Sequence, residues 1–380
     1  MPWEASALSL ADTVTGRGSL WREAVAHTPR HRLIPFWWDT PYGAQFGKWE
    51  RIDGPVDDAA WLAAAYSDQT LITQVNGQHA DLVARGQHVE GLPTSSATLP
   101  SLVVRMLQYA DVHPDADVLD VATGSGYSAA LLSHLLGSQR VTSLDVDPYL
   151  VDVARERLAD IGHRPVLVTQ DARGELPGTY DCIVSMVGIR PIPASWLTAL
   201  RPGGRLATVV GGTSLILTAK KDDRGGAVGR IEWDRAMFMG TRSGPGSYPP
   251  RADRPSASVG DGDAVTTSPL PVVFASDAWD LAAMLEISTP GIQHDFDQAD
   301  NGIRTAYMWH GDGSWARAVS RPEGGAVVHQ GGPQRLWDHL DDIRRYWLEH
   351  GELPVRGAKA IVRPDGRILL SRGDWKAVIR

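Results

Sequence analysis

A chain of 380 residues has room for about two domains of the usual ~150 residues with material left over, and its 43% apolar content can bury a sizeable core. A formal charge of −8 argues against a dedicated nucleic-acid binder, which carries a basic excess, and the single cysteine, Cys182, excludes an intramolecular disulfide and suits a reducing cytosol. No apolar leader-like run opens the chain and no stretch approaches the ~20 apolar residues that cross a bilayer, so a cytoplasmic protein without a membrane partner is expected. The composition is odd in one respect: 14 Trp stand against 5 Phe, and Trp3, Trp21, Trp37, Trp38, Trp49 and Trp61 precede residue 62.

In chain order, residues 1–90 read as an N-terminal helical and aromatic segment of mixed short patterns. Residues 91–242 alternate short apolar runs with helix-period segments, which is the pattern of an α/β unit with a parallel sheet. A Gly/Pro/Ser/Asp-rich stretch makes 243–264 a linker, and 265–380 reads as a separable C-terminal α+β domain for substrate recognition. Within it, Leu336, Trp337, Leu340, Ile343, Trp347 and Leu348 fall at helical spacing before Gly351, and the run 358–371 forms a hairpin turning at Asp365-Gly366.

The chemistry is concentrated in 117–148. Val118 to Val121 is a short apolar strand interrupted by Asp120; Thr123-Gly124-Ser125-Gly126 follows, and a helix opens through Ala129, Leu131, Leu132, Leu135 and Leu136 to stop at Gly137. Glycine belongs in such a strand-to-helix turn because the turn is tight and a ligand must reach the bare backbone. A second strand, Val141 to Leu144, ends in Asp145, where a doubly wound sheet would hold a ribose diol, and Asp147-Pro148 caps the next helix.

Two nucleotide ligands compete for that geometry. Gly124-x-Gly126-x-x-Ala129 with an acid about 20 residues on fits NAD. S-adenosylmethionine has no pyrophosphate but carries a sulfonium and a charged amino-acid tail, which suits an acid, Asp120, just before the glycines. The downstream order favours the second ligand: a strand ending in Gln170-Asp171-Ala172 placed for an adenine amino group, a strand from Tyr180 to Val184 followed by Ser185, then Leu200-Arg201-Pro202-Gly203-Gly204. The expected fold is a Rossmann-like class I S-adenosylmethionine-dependent methyltransferase core with the N-terminal helical segment and the C-terminal α+β domain. The candidate cofactor residues are Asp120, Ala122, Thr123, Gly124, Ser125, Gly126, Tyr127, Asp145, Val146, Asp171, Ala172 and Ser185, and no metal is expected.

Through TPRHRLIP (28–35), SATLPSLVVRML (96–107), VLDVATGSGYSAALL (118–132), YDCIV (180–184) and LRPGGRL (200–206), the chain resembles the protein-L-isoaspartate (D-aspartate) O-methyltransferases. GSWARAV (313–319) and HQGGPQRLWD (329–338) resemble the longer actinobacterial members, which are associated with maturation of lanthipeptides, lasso peptides and graspetides. The resemblance implies methyl transfer to an aspartyl or isoaspartyl carboxylate of a peptide, by way of an ester that can lead to a succinimide. General isoaspartate repair and a non-catalytic cofactor-binding peptide adaptor are the alternatives. The family's usual first loop glycine is Ala122 here, and the Ser-x-Pro of its substrate loop reads Thr98-Leu99-Pro100, with Ser96 nearby. Thr98 and Ser96 are the candidate carboxylate holders. An ionised carboxylate, with a pKa near ~4, attacks a sulfonium methyl without a general base, and no base-and-nucleophile dyad is evident in the sequence.

Blander readings stand beside these. Thr98 and Ser96 could cap the helix that begins near Ser101. His27 and His31, four apart, are interrupted by Pro29 and lack a third ligand. Asp147-Pro148-Tyr149 is a faint echo of an amine-methylase motif in the wrong place, and Cys182 reads as a small buried hydrophobe. The early tryptophans read as packing, with a peptide groove as the sharper alternative.

Overall fold

The computed structural model describes residues 3–40, 47–244, 260–274, 277–321 and 324–380. Most of the expected linker, 245–259, falls outside them. Among the described residues no helix is long and apolar enough to cross a membrane.

The centre is a ten-stranded sheet. Its parallel part runs, in spatial order, Val166–Thr169, Val141–Asp145, Val118–Val121, Tyr180–Ile189 and Leu200–Val210. The order reverses beside Val118–Val121, and ligands of doubly wound sheets bind at the carboxyl ends of strands at such a switch point. Helices Tyr127–Leu136 and Pro148–Asp160 form because their apolar positions recur at helical spacing against the sheet; Gly137 ends the first, and the Asp147 carboxylate caps the second by accepting from Tyr149 N at 3.1 Å. The strands of the switch point are apolar on both faces, as Val118, Leu119 and Val121 are all buried.

The N-terminal expectation is corrected. Helices Trp3–Val14, Trp21–His27, Arg30–Leu33 and Asp58–Ala65 are present, but a six-stranded antiparallel sheet accompanies them. Its last strand, Pro93–Ala97, pairs with Leu71–Val75 and so crosses the boundary drawn at 90. The strands are only two to six residues long, which leaves little periodicity to read. Trp21, Trp37, Trp38 and Trp49 are buried packing residues of this region. His27 and His31 lie on different helices, and His31 Nδ1 meets the Tyr66 hydroxyl at 2.7 Å.

The C-terminal expectation is corrected in its organisation. A five-stranded antiparallel sheet, Gln293–Gln298 through Ala326–Gly331 with Ala264–Ser268 at its edge, packs with helices Trp279–Ser288 and Leu336–His350. Leu336, Trp337, Leu340 and Ile343 are buried, while Trp347 and Leu348 face solvent. The hairpin of Lys359–Val362 and Ile368–Arg372, with Trp375–Ile379, leaves that sheet and extends the central one, Lys359–Val362 pairing antiparallel with Ala227–Arg235. One apolar cluster runs from Leu119 in the central sheet through Leu281 and Trp337 to Ile379. Extension and core are therefore parts of one core rather than separable units.

Candidate active site

After Val121 the backbone turns through Ala122, Gly124 and Gly126 with φ of +73°, +50° and +84°. The amides of Ala122 and Thr123 both donate to the Leu144 carbonyl, at 2.8 and 3.0 Å, which ties the loop to the neighbouring strand. A Cβ on Gly124 would lie 3.4 Å from the Ser96 carbonyl oxygen, so glycine lets the loop approach the 95–98 segment. Ala122 is the exception, because a left-handed backbone costs an L-residue roughly 1–2 kcal/mol. Ala122→Gly is therefore expected to leave stability unchanged or raise it by up to about 1 kcal/mol, since strain relief outweighs the added chain entropy. The control, Ala63→Gly on the exposed face of helix Asp58–Ala65, is expected to lose about 1 kcal/mol. Urea unfolding of both variants checks this, and equal losses would show that Ala122 is unstrained.

Asp145 ends its strand with the carboxylate buried and held by two amides, Gly124 N to Oδ2 at 3.0 Å and Asp147 N to Oδ1 at 3.1 Å. Burial raises its pKa above the ordinary carboxylate value, and those two amides and the charge of Arg242 oppose the rise. Asp120, one strand over, is fully buried; its Oδ2 accepts from Ser128 Oγ at 2.9 Å and Ser143 Oγ at 2.7 Å, while Oδ1 has no hydrogen-bond partner. Burial, partly offset by those hydroxyls, pushes its pKa up to about 6. A buried acid with an open oxygen suits a cationic neighbour and would repel a pyrophosphate.

The loop opens onto a cavity of about 590 Å³. Ala122, Thr123, Gly124, Ser125, Tyr127, Asp145, Val146, Asp171 and Ala172 line it, and so do Thr98 and Ser96 from the facing segment. Asp120, Gly126 and Ser185 do not. Asp120 and Ser185 are fully buried, and Ser185 spends its hydroxyl on the Val187 carbonyl at 2.9 Å while Met186 and Val187 reach the cavity instead. Gly126 precedes the helix with a left-handed backbone, φ +84°, and faces Leu158 and Ala154 rather than the cavity. Asp171 is clamped by Arg173, Nη2 to Oδ2 at 2.7 Å, which lowers its pKa. Thr98 and Ser96 do not cap the helix Pro100–Tyr109; its first amides are met by Thr70 Oγ1, which accepts from Leu99 N, and by Asp68, which accepts from Ser101 N.

Several residues that shape the site escaped the sequence reading. The guanidinium of Arg30 is buried and donates to the carbonyls of Ala65, Gln69, Ala97 and Thr98, and it lies 5.3 Å from the centre of the Tyr127 ring. It thereby ties the 97–98 backbone to the start of the cofactor-loop helix. Asp147 is held by Gln74 Nε2 at 3.0 Å and His79 Nε2 at 3.1 Å, both from the N-terminal sheet. The Met237–Arg242 segment forms one wall, docked where Gly188 N donates to Met239 O at 2.8 Å and Thr241 N to Gly188 O at 3.1 Å. The only signal for Arg30 was its place in the run 28–35; nothing local marked the other two.

The strand order, the left-handed glycine loop and an acid ending the second strand define the Rossmann-like core of the class I S-adenosylmethionine-dependent methyltransferases. The model of the family described as protein-L-isoaspartate(D-aspartate) O-methyltransferase matches residues 63–239. A protein-L-isoaspartate O-methyltransferase 2 of Archaeoglobus fulgidus is 31% identical over 147 residues, 38% of this chain and 67% of the relative. The Aeropyrum pernix protein-L-isoaspartate O-methyltransferase is 37% identical over 211 residues, 54% of this chain and 65% of the relative. The chain belongs to the protein-L-isoaspartate(D-aspartate) O-methyltransferase family. It spans about half the length of other curated relatives, 52% of the one from Pyrococcus horikoshii. A solved protein-L-isoaspartate O-methyltransferase aligns over 99% of both chains with 14% identity and a TM-score of 0.49.

Proposed function

We propose that this protein transfers a methyl group from S-adenosylmethionine to an aspartyl or isoaspartyl side-chain carboxylate of a peptide. One observation carries the reading: the polar side chains lining the cavity are hydroxyls, two aspartates, Gln170 and Arg242, and among its described lining residues there is no His, Lys, Cys or Glu to take a proton from an amine or alcohol. Both aspartates are already engaged, Asp145 by two amides and Asp171 by Arg173. The nucleophile that fits such a site arrives deprotonated, and a carboxylate does. The cofactor supplies an electrophilic methyl group on sulfur. Asp145 would hold its ribose hydroxyls, the bare loop at Gly124 would admit its tail, and Asp120 would balance its positive charge. Thr98, Ser96 and the amides around them would orient the carboxylate, so that catalysis is positioning and exclusion of water.

The peptide is proposed to be ribosomally made and modified. The resulting methyl ester gives the following backbone nitrogen a methanol leaving group, and its attack closes a succinimide. The extension beyond residue 265 supports this reading over general repair, because the family's match ends at 239 and the extension adds a helix-covered sheet. Asp120, Gly124, Gly126, Asp145 and Asp171, all retained, favour an enzyme over an idle adaptor.

Incubation with methyl-labelled cofactor and peptides containing Asp, isoAsp or Asn tests the proposal. A base-labile methyl ester on the acid-containing peptides alone is expected, and transfer to an amine or hydroxyl would overturn it. With cofactor saturating, the rate is expected to be flat through pH 6–8; a steep climb near pH 7 would reveal a base. Cofactor affinity is expected to depend on pH below that range. Without a cation beside it Asp120 binds its proton until about pH 6, above the ordinary ~4, so its protonated form stabilises the cofactor-free fold at low pH and that contribution is lost as pH rises through 6. A cationic ligand must expel that proton, so affinity should be about tenfold weaker at pH 5 than at pH 7. Calorimetry at both values reads it, and Asp120→Asn should abolish the difference.

A further inference from the structure

A second concavity of about 970 Å³ lies beside the first. It is enclosed by helix Pro100–Tyr109, strand Ala227–Arg235 and the C-terminal extension around Trp279 and residues 347–356. Leu99, Leu102 and Met237 line both, so the two adjoin across these side chains at the edge of the Thr98 loop. A polypeptide whose aspartate enters at Thr98 would pass over this edge into the second groove.

The walls of the groove state what it accepts. Trp233 is 62% exposed, Met237 66% and Trp347 40%. Large side chains of this kind left together in water mark interaction surfaces. The charges around them nearly cancel: Asp234 pairs with Arg105 and accepts from the Tyr109 hydroxyl at 2.6 Å, Asp280 pairs with Arg356 at 2.7 Å, Glu352 pairs with Arg372 at 2.6 Å, and the remaining Arg235, its guanidinium 4.5 Å from the Trp279 ring centre, is matched in number by Asp277. A charged segment would find no net counter-charge there, whereas an apolar or aromatic one would cover the rings. None of the six tryptophans before residue 62 lines either cavity. The aromatic rings of the groove come from the second half of the chain, two of the three from the extension.

We infer that this groove binds an apolar or aromatic stretch of the substrate polypeptide flanking the reacting aspartate, making the extension part of the specificity site. The inference rests on the carboxyl transfer proposed above and names what that transfer selects. Binding energy won far from the reacting carboxylate anchors the chain without touching the methyl group.

The test uses the full chain and two short synthetic peptides with the same central aspartate, one flanked by Leu and Trp, the other by Gly and Ser. Peptide affinity is read by fluorescence anisotropy with S-adenosylhomocysteine present, turnover by methyl incorporation. The native protein is expected to favour the Leu/Trp peptide by at least about tenfold in Kd and KM. The doubly substituted Trp233→Ser, Trp347→Ser protein is expected to lose that preference, with kcat, cofactor affinity and the Gly/Ser peptide unaffected. Both sites are solvent-exposed, and an unchanged melting temperature establishes that the variant is folded. Equal affinity of the native protein for both peptides, or a preference that survives the substitutions, would overturn the inference. So would a dimer of the native chain that the substitutions dissociate while peptide affinities stay the same, since the groove would then face a second copy. Retained peptide preference without methyl transfer would overturn the carboxyl-transfer reading and leave the groove standing.

Discussion

Asp145→Ala is expected to weaken S-adenosylmethionine binding by about 1.5–3 kcal/mol, because hydrogen bonds to a charged acceptor are worth that much when the site excludes water. In affinity this is roughly ten- to more than a hundredfold. The effect should be specific to the ligand. Asp145 is buried with its pKa raised by desolvation, so its removal relieves a cost of burial that offsets the lost amide bonds of Gly124 and Asp147. The cofactor-free fold is then expected to change by no more than about 1 kcal/mol. Calorimetry with S-adenosylmethionine, alongside thermal unfolding, separates the two. An unaffected affinity, or tight binding of NAD by the native protein, would refute the assignment of the cavity.

A chain ending at residue 358 is expected not to fold. The missing strands carry Val362, Ile368, Leu370 and Ile379, all essentially inaccessible to solvent. At about 1.5–3 kcal/mol for each buried side chain, their loss removes on the order of 6–12 kcal/mol. Whole domains of ordinary stability hold only about 5–15 kcal/mol. The truncation also strips the partner from Ala227–Arg235, exposing a long strand edge beside the cofactor wall. The expected product is aggregated or non-cooperative in circular dichroism melting. A cooperative transition within a few degrees of the full chain would show that the C-terminal strands are dispensable.

The second prediction reverses what the sequence suggests, since a Pro/Gly-rich stretch followed by its own hairpin and tryptophan-bearing helix reads as a detachable unit. The hairpin turn at Asp365-Gly366 and the stop at Gly351 were legible because each is set by a few neighbouring residues: a glycine with positive φ, and an aspartate whose carboxylate accepts from Arg367 N at 3.1 Å. Which sheet the hairpin joins was not. The pairing of Ala227 with Val362 spans more than a hundred residues and depends on complementary apolar surfaces.

The same division runs through the site. The sequence alone determined the cofactor loop, from the strand at Val118 through the left-handed glycines to the acid at Asp145, since strand period, turn chemistry and the spacing to the second strand are local. Only the tertiary structure decided that Ser185 turns into the sheet while Met186 and Val187 both reach the cavity, because the strand's register against Leu200–Val210 shifts between Val184 and Gly188 and the regular alternation of side chains is broken there. Only the tertiary structure brought Gln74 and His79 to Asp147, Arg30 to the carbonyls of Ala65, Gln69, Ala97 and Thr98, and Trp233 to Trp279 and Trp347. Those contacts join segments far apart in sequence, and burial and packing, which act on surfaces rather than on neighbouring residues, select them.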